Sequence, residues 1–154
     1  MKIVSGGQTG VDMAALEFAR QNGLPYGGWV PKGRMNEDGR IPSQFKSLTE
    51  TASEDVAERT RCNVLSSDAT LIFVDGSFSP GTQQTIVFAN EAERPHLVID
   101  VRMGIATSSA RTREWLKANP VSVLNIAGPR ASEAPQIGAQ VREILDRNLD
   151  LIRA

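Results

Sequence analysis

Short continuous apolar runs alternate along the chain with stretches in which apolar residues recur every three to four positions. The first pattern predicts buried strands and the second amphipathic helices, so their alternation predicts an α/β fold. Lys2 to Val4 is the first strand. A helix begins near Gly10, with Val11, Ala15, Phe18 and Ala19 on one face and Asn22-Gly23 as its stop. Pro25 to Val30 follows as a short strand, and the turn residues and charges of Pro31 to Arg40 predict an irregular loop. Ser53 is a candidate cap for a helical segment containing Val56, Thr60 and Val64, with Arg59 and Arg61 nearer its far end. Ala69 to Val74 reads as a buried strand, Thr82 to Ala92 as a helix, His96 to Val101 as a strand and Arg111 to Ala118 as a helix ended by Asn119-Pro120. Val121 to Ile126 is the fifth strand. The last helix opens at Pro135, and its Ile137, Val141, Ile144, Leu145, Leu149 and Ile152 form the clearest apolar stripe in the chain.

No repeat, linker or low-complexity tract divides this pattern, and 154 residues suit one domain with its own core, so residues 1–154 read as a single Rossmann-like domain. Its sheet is expected to be mainly parallel, with about five strands. Loops leaving parallel strands open on one edge, and ligands bind there where strand order reverses. The segments to inspect are therefore Ser5 to Gly10, Pro31 to Arg40, Asp75 to Thr82, Arg102 to Ser109 and Ala127 to Ala134.

Composition narrows the functional classes. A formal net charge of −1 and 5% aromatic residues argue against nucleic acid and anionic membranes as partners. One cysteine, Cys62, and one histidine, His96, are too few soft ligands for a zinc or iron–sulfur centre, so no protein-caged metal is expected. A lone cysteine with no export signal or membrane-length apolar run predicts a cytoplasmic protein.

The densest chemistry is Ser5-Gly6-Gly7-Gln8-Thr9-Gly10, directly after the first strand. Glycines allow backbone N–H groups to approach an anion, the helix that follows points its positive end at it, and Ser5 and Thr9 add hydroxyls. A tight strand-to-helix turn would need the same glycines for geometry alone. The loop lacks the Gly-Lys-Ser/Thr of a Walker motif, and no carboxylate ends the second strand to hold a ribose. Asp12 in the first helical turn would repel a phosphate unless a cation, a magnesium ion or a ligand hydroxyl meets it. Lys32 and Arg34 lie on a glycine-hinged loop at the same predicted edge and are candidate counter-charges. Gly81 and Thr82 open another helix, and Gly128 and Arg130 follow the fifth strand; each turn reads either as a second anion contact or as an ordinary helix entry.

Together, Ile3 to Asp12, Gly27-Gly28-Trp29, Pro31 to Arg34, Glu37-Asp38-Gly39, Arg59 to Val64 and Leu124 to Arg130 resemble the molybdenum carrier family, also described as molybdenum cofactor carrier-like. The resemblance spans nearly the whole chain. It implies a three-layer Rossmann-like fold related to the lysine-decarboxylase-like nucleotide-binding proteins, a homo-oligomer, and a pterin or nucleotide ligand. With so few soft ligands, a carrier role would work through the pterin and phosphate of the molybdenum cofactor (molybdopterin), although molybdate itself could fit an amide-lined turn. The enzymatic alternative is a nucleotide phosphoribohydrolase, whose P-G-G-x-G-T-x-x-E signature meets Pro80-Gly81-Thr82-Gln83-Gln84-Thr85 here, with Thr85 in place of the catalytic acid. Asp12, Asp75 and Glu133 are the acids that could replace it. A nucleotide-sensing interaction module is a further alternative. The expectation is thus a binding protein for a phosphate-bearing small molecule, with no catalytic residue assigned.

Overall fold

Six strands lie side by side in one sheet, every neighbouring pair parallel, in the computed structural model of residues 1–154. In chain order the strands are β1 (Lys2–Val4), β2 (Tyr26–Val30), β3 (Met35–Asn36), β4 (Gly39–Arg40), β5 (Leu48–Glu50), β6 (Ala69–Val74), β7 (His96–Asp100) and β8 (Val123–Ala127). The helices are α1 (Val11–Gln21), α2 (Val56–Leu65), α3 (Pro80–Glu91), α4 (Ile105–Ala118), α5 (Ile137–Arg147) and α6 (Leu149–Arg153). Helix α5 packs against both α1 and α4 in one layer, while α2 and α3 pair in the other, so the sheet is the middle of three layers.

The strand order fixes where a ligand can bind. From β1 the chain steps outward to β2 and β5, crosses through α2 to β6 and β7, then returns to insert β8 between β1 and β6. The order reverses beside β8, and there the connections splay apart at the carboxyl edge.

The core is unevenly divided. Twenty buried apolar residues fill the space between the sheet and the α1/α4/α5 layer, including Phe18, Phe73, Ile137, Val141, Ile144 and Leu145. Each such side chain contributes about 1.5–3 kcal/mol relative to exposure. By contrast α2 buries only Asn63 and Val64, and α3 only Thr82, Thr85 and Ala89. The second layer is held by polar docking as well as by packing: Asn63 bonds both backbone groups of Trp29, accepting its N–H at 2.8 Å and donating to its carbonyl at 3.0 Å.

Several predicted boundaries move. Pro31 to Arg40 is not wholly irregular, because β3 and β4 pair as a small antiparallel hairpin, and β5 adds a sixth sheet strand whose three residues were too short to show a period. The cap of α2 is Asp55, whose carboxylate accepts the Ala57 N–H at 2.9 Å; Ser53 instead donates to Glu58. Helix α4 starts at Ile105, so Arg102 to Ser109 is mostly not loop: a 3-10 turn at Val101–Met103 leads straight into the helix. The final apolar stripe is divided at Asn148, which separates α5 from α6 and whose buried amide donates to the Ile144 carbonyl at 2.9 Å.

Candidate functional site

A cleft of about 300 Å³ opens at the carboxyl edge of the sheet, between the turns after β1 and β8 and the N-terminal ends of α2 and α3. Of the residues singled out from sequence, Gly6, Gln8, Asp12, Gly81, Thr82, Gly128 and Arg130 line it; Ser5, Gly7, Thr9, Gly10, Lys32 and Arg34 do not.

The glycine turn after β1 is shaped by the protein itself. A Cβ on Gly6 would lie 2.8 Å from Arg59 Cδ, because the arginine lies across the glycine and donates from Nη1 to the Gly6 carbonyl at 2.5 Å. A Cβ on Gly7 would meet Ile41 at 2.7 Å, and one on Gly10, where φ is 78°, would meet the Pro129 carbonyl oxygen at 2.6 Å. The amides are also engaged: Gln8 N–H donates to Asp12 Oδ2 at 3.2 Å, Thr9 N–H to Gln8 Oε1 at 3.0 Å and Val11 N–H to the Pro129 carbonyl at 3.4 Å. Ser5 is buried and donates to the Asp12 carbonyl at 2.9 Å. The Asp12 carboxylate thus occupies part of this turn as an internal anion, and close contacts within the protein surround all three glycines.

The β3–β4 hairpin straps this turn to the one after β8. Glu37, at its tip, accepts from the Thr9 hydroxyl, from the Ser132 N–H at 3.0 Å and from the Ser132 hydroxyl at 2.5 Å. Thr9 Oγ1 in turn accepts the Ala131 N–H at 3.0 Å, and Asn36 donates to the Gly7 carbonyl at 3.0 Å. Those hydrogen bonds, led by that from Ser132, hold the Glu37 carboxyl below its ordinary range, with nearby Arg130 adding to the effect. Arg34 serves the same region as scaffold: its guanidinium donates to the Phe45 carbonyl at 3.1 Å, while Lys32 is exposed away from the cleft. Neither lines the cleft: Arg34 is held on the Phe45 carbonyl and Lys32 is exposed outside it.

Two guanidinium groups do belong to the cleft. Arg130, half exposed at its rim, contacts Glu133 at 2.9 Å and Glu37 at 3.6 Å. Arg59 is the residue that sequence reasoning misplaced. With α2 capped at Asp55 it stands at the cleft end of the helix instead of near its far end, and only the assembly of α2 against the β1 turn reveals its role. Burial pushes the Asp12 carboxyl up to about 6, opposed by the charge of Arg59 and by the N–H groups of Gln8 and Gly6.

The entry to α3 differs from the β1 turn. Ser79 caps the helix, accepting the Thr82 N–H at 3.3 Å, while its hydroxyl contacts Thr82 Oγ1 at 3.0 Å. Thr85, buried in the cleft wall, donates to the Gly81 carbonyl at 2.9 Å. A Cβ on Gly81 would meet nothing within 4 Å, so its backbone borders open space at the positive end of the helix. The cleft thus combines a helix N-terminus and two guanidinium groups with a buried carboxylate.

The chain matches the model of the circularly permutated YpsA SLOG family, cpYpsA, over residues 3–149. Among solved structures it is similar to the 1.45 Å crystal structure of "Putative molybdenum carrier protein" from Syntrophus aciditrophicus SB, at 43% sequence identity and a TM-score of 0.90. That similarity covers 99% of this chain and 94% of the other. No functionally curated protein matches it. The three-layer fold and a match across nearly its full length establish that the chain belongs to the circularly permutated YpsA SLOG family.

Proposed function

We propose that this protein binds a phosphorylated pterin or nucleotide-like small molecule in the cleft beside β8, and that the molybdenum cofactor is one ligand of this class. The observation that carries the reading is the convergence of the α3 N-terminus, Arg59 and Arg130 on one cleft. An anionic group fits that end, where the Gly81 backbone and Thr82 offer donors and the two guanidinium groups offer charge. The organic part of the cofactor suits this donor set. Neither Cys62 nor His96 lines the cleft, so the pterin and phosphate, rather than the metal, would be held by the protein. The reading extends to a cytoplasmic homo-oligomer that acts on its ligand by binding it, which mass measurement of the native protein would check for its assembly state.

The deciding experiment is native mass spectrometry of the freshly purified protein, followed by thermal-shift titration with the compound released. A phosphorylated heterocycle that stabilises the wild type and fails to stabilise Arg59→Ala supports the assignment. An unphosphorylated ligand, or equal stabilisation of both proteins, rejects it.

The position of Asp12 favours one second reading, hydrolysis of a nucleotide's glycosidic bond. A buried carboxyl whose pKa is raised to about 6 suits proton transfer near neutral pH. Thr85 cannot supply an acid, and its hydroxyl is bonded to the Gly81 carbonyl. Release of free base from a panel of nucleoside monophosphates, abolished by Asp12→Asn, would establish hydrolysis; intact nucleotides after prolonged incubation would exclude it.

A further inference from the structure

The two sides of the cleft differ in chemistry. At the α3 entry Gly81 borders solvent beside Thr82, and Arg130 stands 50% exposed at the rim. On the β1–β8 side Asp12, 7% exposed and close to Arg59, and Asn125, 3% exposed, both present acceptors, while the other buried polar side chains of the lining, Asn63, Thr82 and Thr85, are hydrogen-bonded within the protein. Asn125, on β8, donates from its amide nitrogen to Thr70 Oγ1 at 3.3 Å. Its amide oxygen has no partner within the protein and is not sealed into the interior, so it is left to the cleft. Asp12 Oδ2 receives the Gln8 N–H, yet an ionised carboxylate has about four acceptor positions, and the group faces the same space. Acceptors buried this deeply favour a ligand that brings hydrogens to them, and they penalise one that presents lone pairs.

Resting on the phosphate-binding reading above, we infer that Asp12 and Asn125 select the ring of the ligand, accepting from adjacent N–H groups of an amino-oxo pyrimidine edge such as guanine and pterins carry. The two sides of the cleft fit one molecule. In a phosphorylated pterin or a nucleotide the ring lies at the end remote from the phosphate, so a phosphate at the α3 entry directs the ring toward Asp12 and Asn125. Guanine offers a ring N–H beside an exocyclic amine, which a carboxylate accepts side by side. Adenine offers an amine beside a ring-nitrogen lone pair, which would face the carboxylate unfavourably. A sugar diol also brings paired hydrogens, and comparing ribose with deoxyribose nucleotides separates it from the ring.

Isothermal titration of the wild type with inorganic phosphate, GMP, dGMP and AMP at pH 8 tests the inference. GMP and dGMP should bind alike and at least tenfold more tightly than AMP. Asp12→Asn should reduce that preference to within about threefold while inorganic phosphate binds no more weakly than before, because a neutral amide cannot accept both N–H groups as the carboxylate does and no longer repels the anion. Asn125→Ala should weaken GMP several-fold and leave phosphate unchanged, and it provides a variant that leaves the β1 turn intact if Asp12→Asn does not fold. Equal affinity for GMP and AMP in the wild type overturns the inference, as does a preference that survives both substitutions or a large loss on passing from GMP to dGMP. Phosphate binding without ring selectivity would reject this inference alone, whereas failure to bind phosphate or any of the nucleotides would reject the underlying ligand assignment with it.

Discussion

The turn after β1 and the entry to α3 are both glycine-containing approaches to a helix N-terminus, and both border the same cleft. They are used in opposite ways. In the first, every glycine position is filled by a neighbour, Arg59 over Gly6, Ile41 and Val30 over Gly7, and Pro129 against Gly10, and the Gln8 amide is taken up by Asp12. In the second, Gly81 faces space. A glycine-rich motif reports that something must approach the backbone closely; whether a ligand or the protein's own chain does so is set by elements distant in sequence.

The largest effect should come from disturbing the filled turn. Gly10→Ala forces a side chain onto a φ of 78° and against a backbone oxygen at 2.6 Å, neither of which can yield easily. A loss of about 3 to 5 kcal/mol is expected in urea denaturation, and stability within 1 kcal/mol of wild type would show that the turn is looser than its packing implies.

Next in size is the pH response of the Asp12 carboxylate. With its pKa at about 6 instead of 3.8, the native state binds more protons than the unfolded chain between those values. This group's contribution is fully present below 3.8 and is lost as pH rises through about 6, a difference of about 3 kcal/mol. Denaturation at a series of pH values should show that decline in the wild type against a flatter curve for Asp12→Asn. Identical curves would mean that Asp12 is better solvated than its burial indicates.

Arg59→Ala sharpens the contrast on the open side. Loss of one charged contact should weaken inorganic phosphate by about 2 kcal/mol, roughly thirtyfold, in calorimetric titration. Gly81→Ala then tests whether openness means tolerance: the new methyl meets nothing, so melting should stay unchanged or rise by the equivalent of about 0.5–1 kcal/mol. The smallest expected effect is that of Lys32→Ala, whose side chain is exposed outside the cleft, and phosphate affinity should not move measurably.

Legibility followed the range of the interactions involved. Strands β6 and β7, the start of α1 and the stripe of α5 could be read because their apolar patterns are local and strong, and β1 because a glycine turn and a helix follow it directly. The paired strands β3 and β4 span two residues each, β5 three, and none has room for a period. Candidate residues divided in the same way. Asp12, Gly81 and Arg130 were visible as polar or glycine positions on the predicted ligand edge, and they line the cleft. Arg34 and Lys32 shared that edge in sequence, but Arg34 is held on the Phe45 carbonyl and Lys32 lies outside the cleft, while Arg59 was hidden inside a helical pattern whose orientation only its docking on the β1 turn could reveal.

The sequence alone determined the fold class, α/β with glycine turns on one edge of a parallel sheet, because hydrophobic period and turn chemistry act over a few residues. Tertiary structure decided which glycine turn stays open, which arginine enters the cleft and which carboxylate is buried in its lining. Those choices depend on contacts between segments tens of residues apart, such as Arg59 across Gly6 and Glu37 on Ser132, and no local pattern encodes the distance between them.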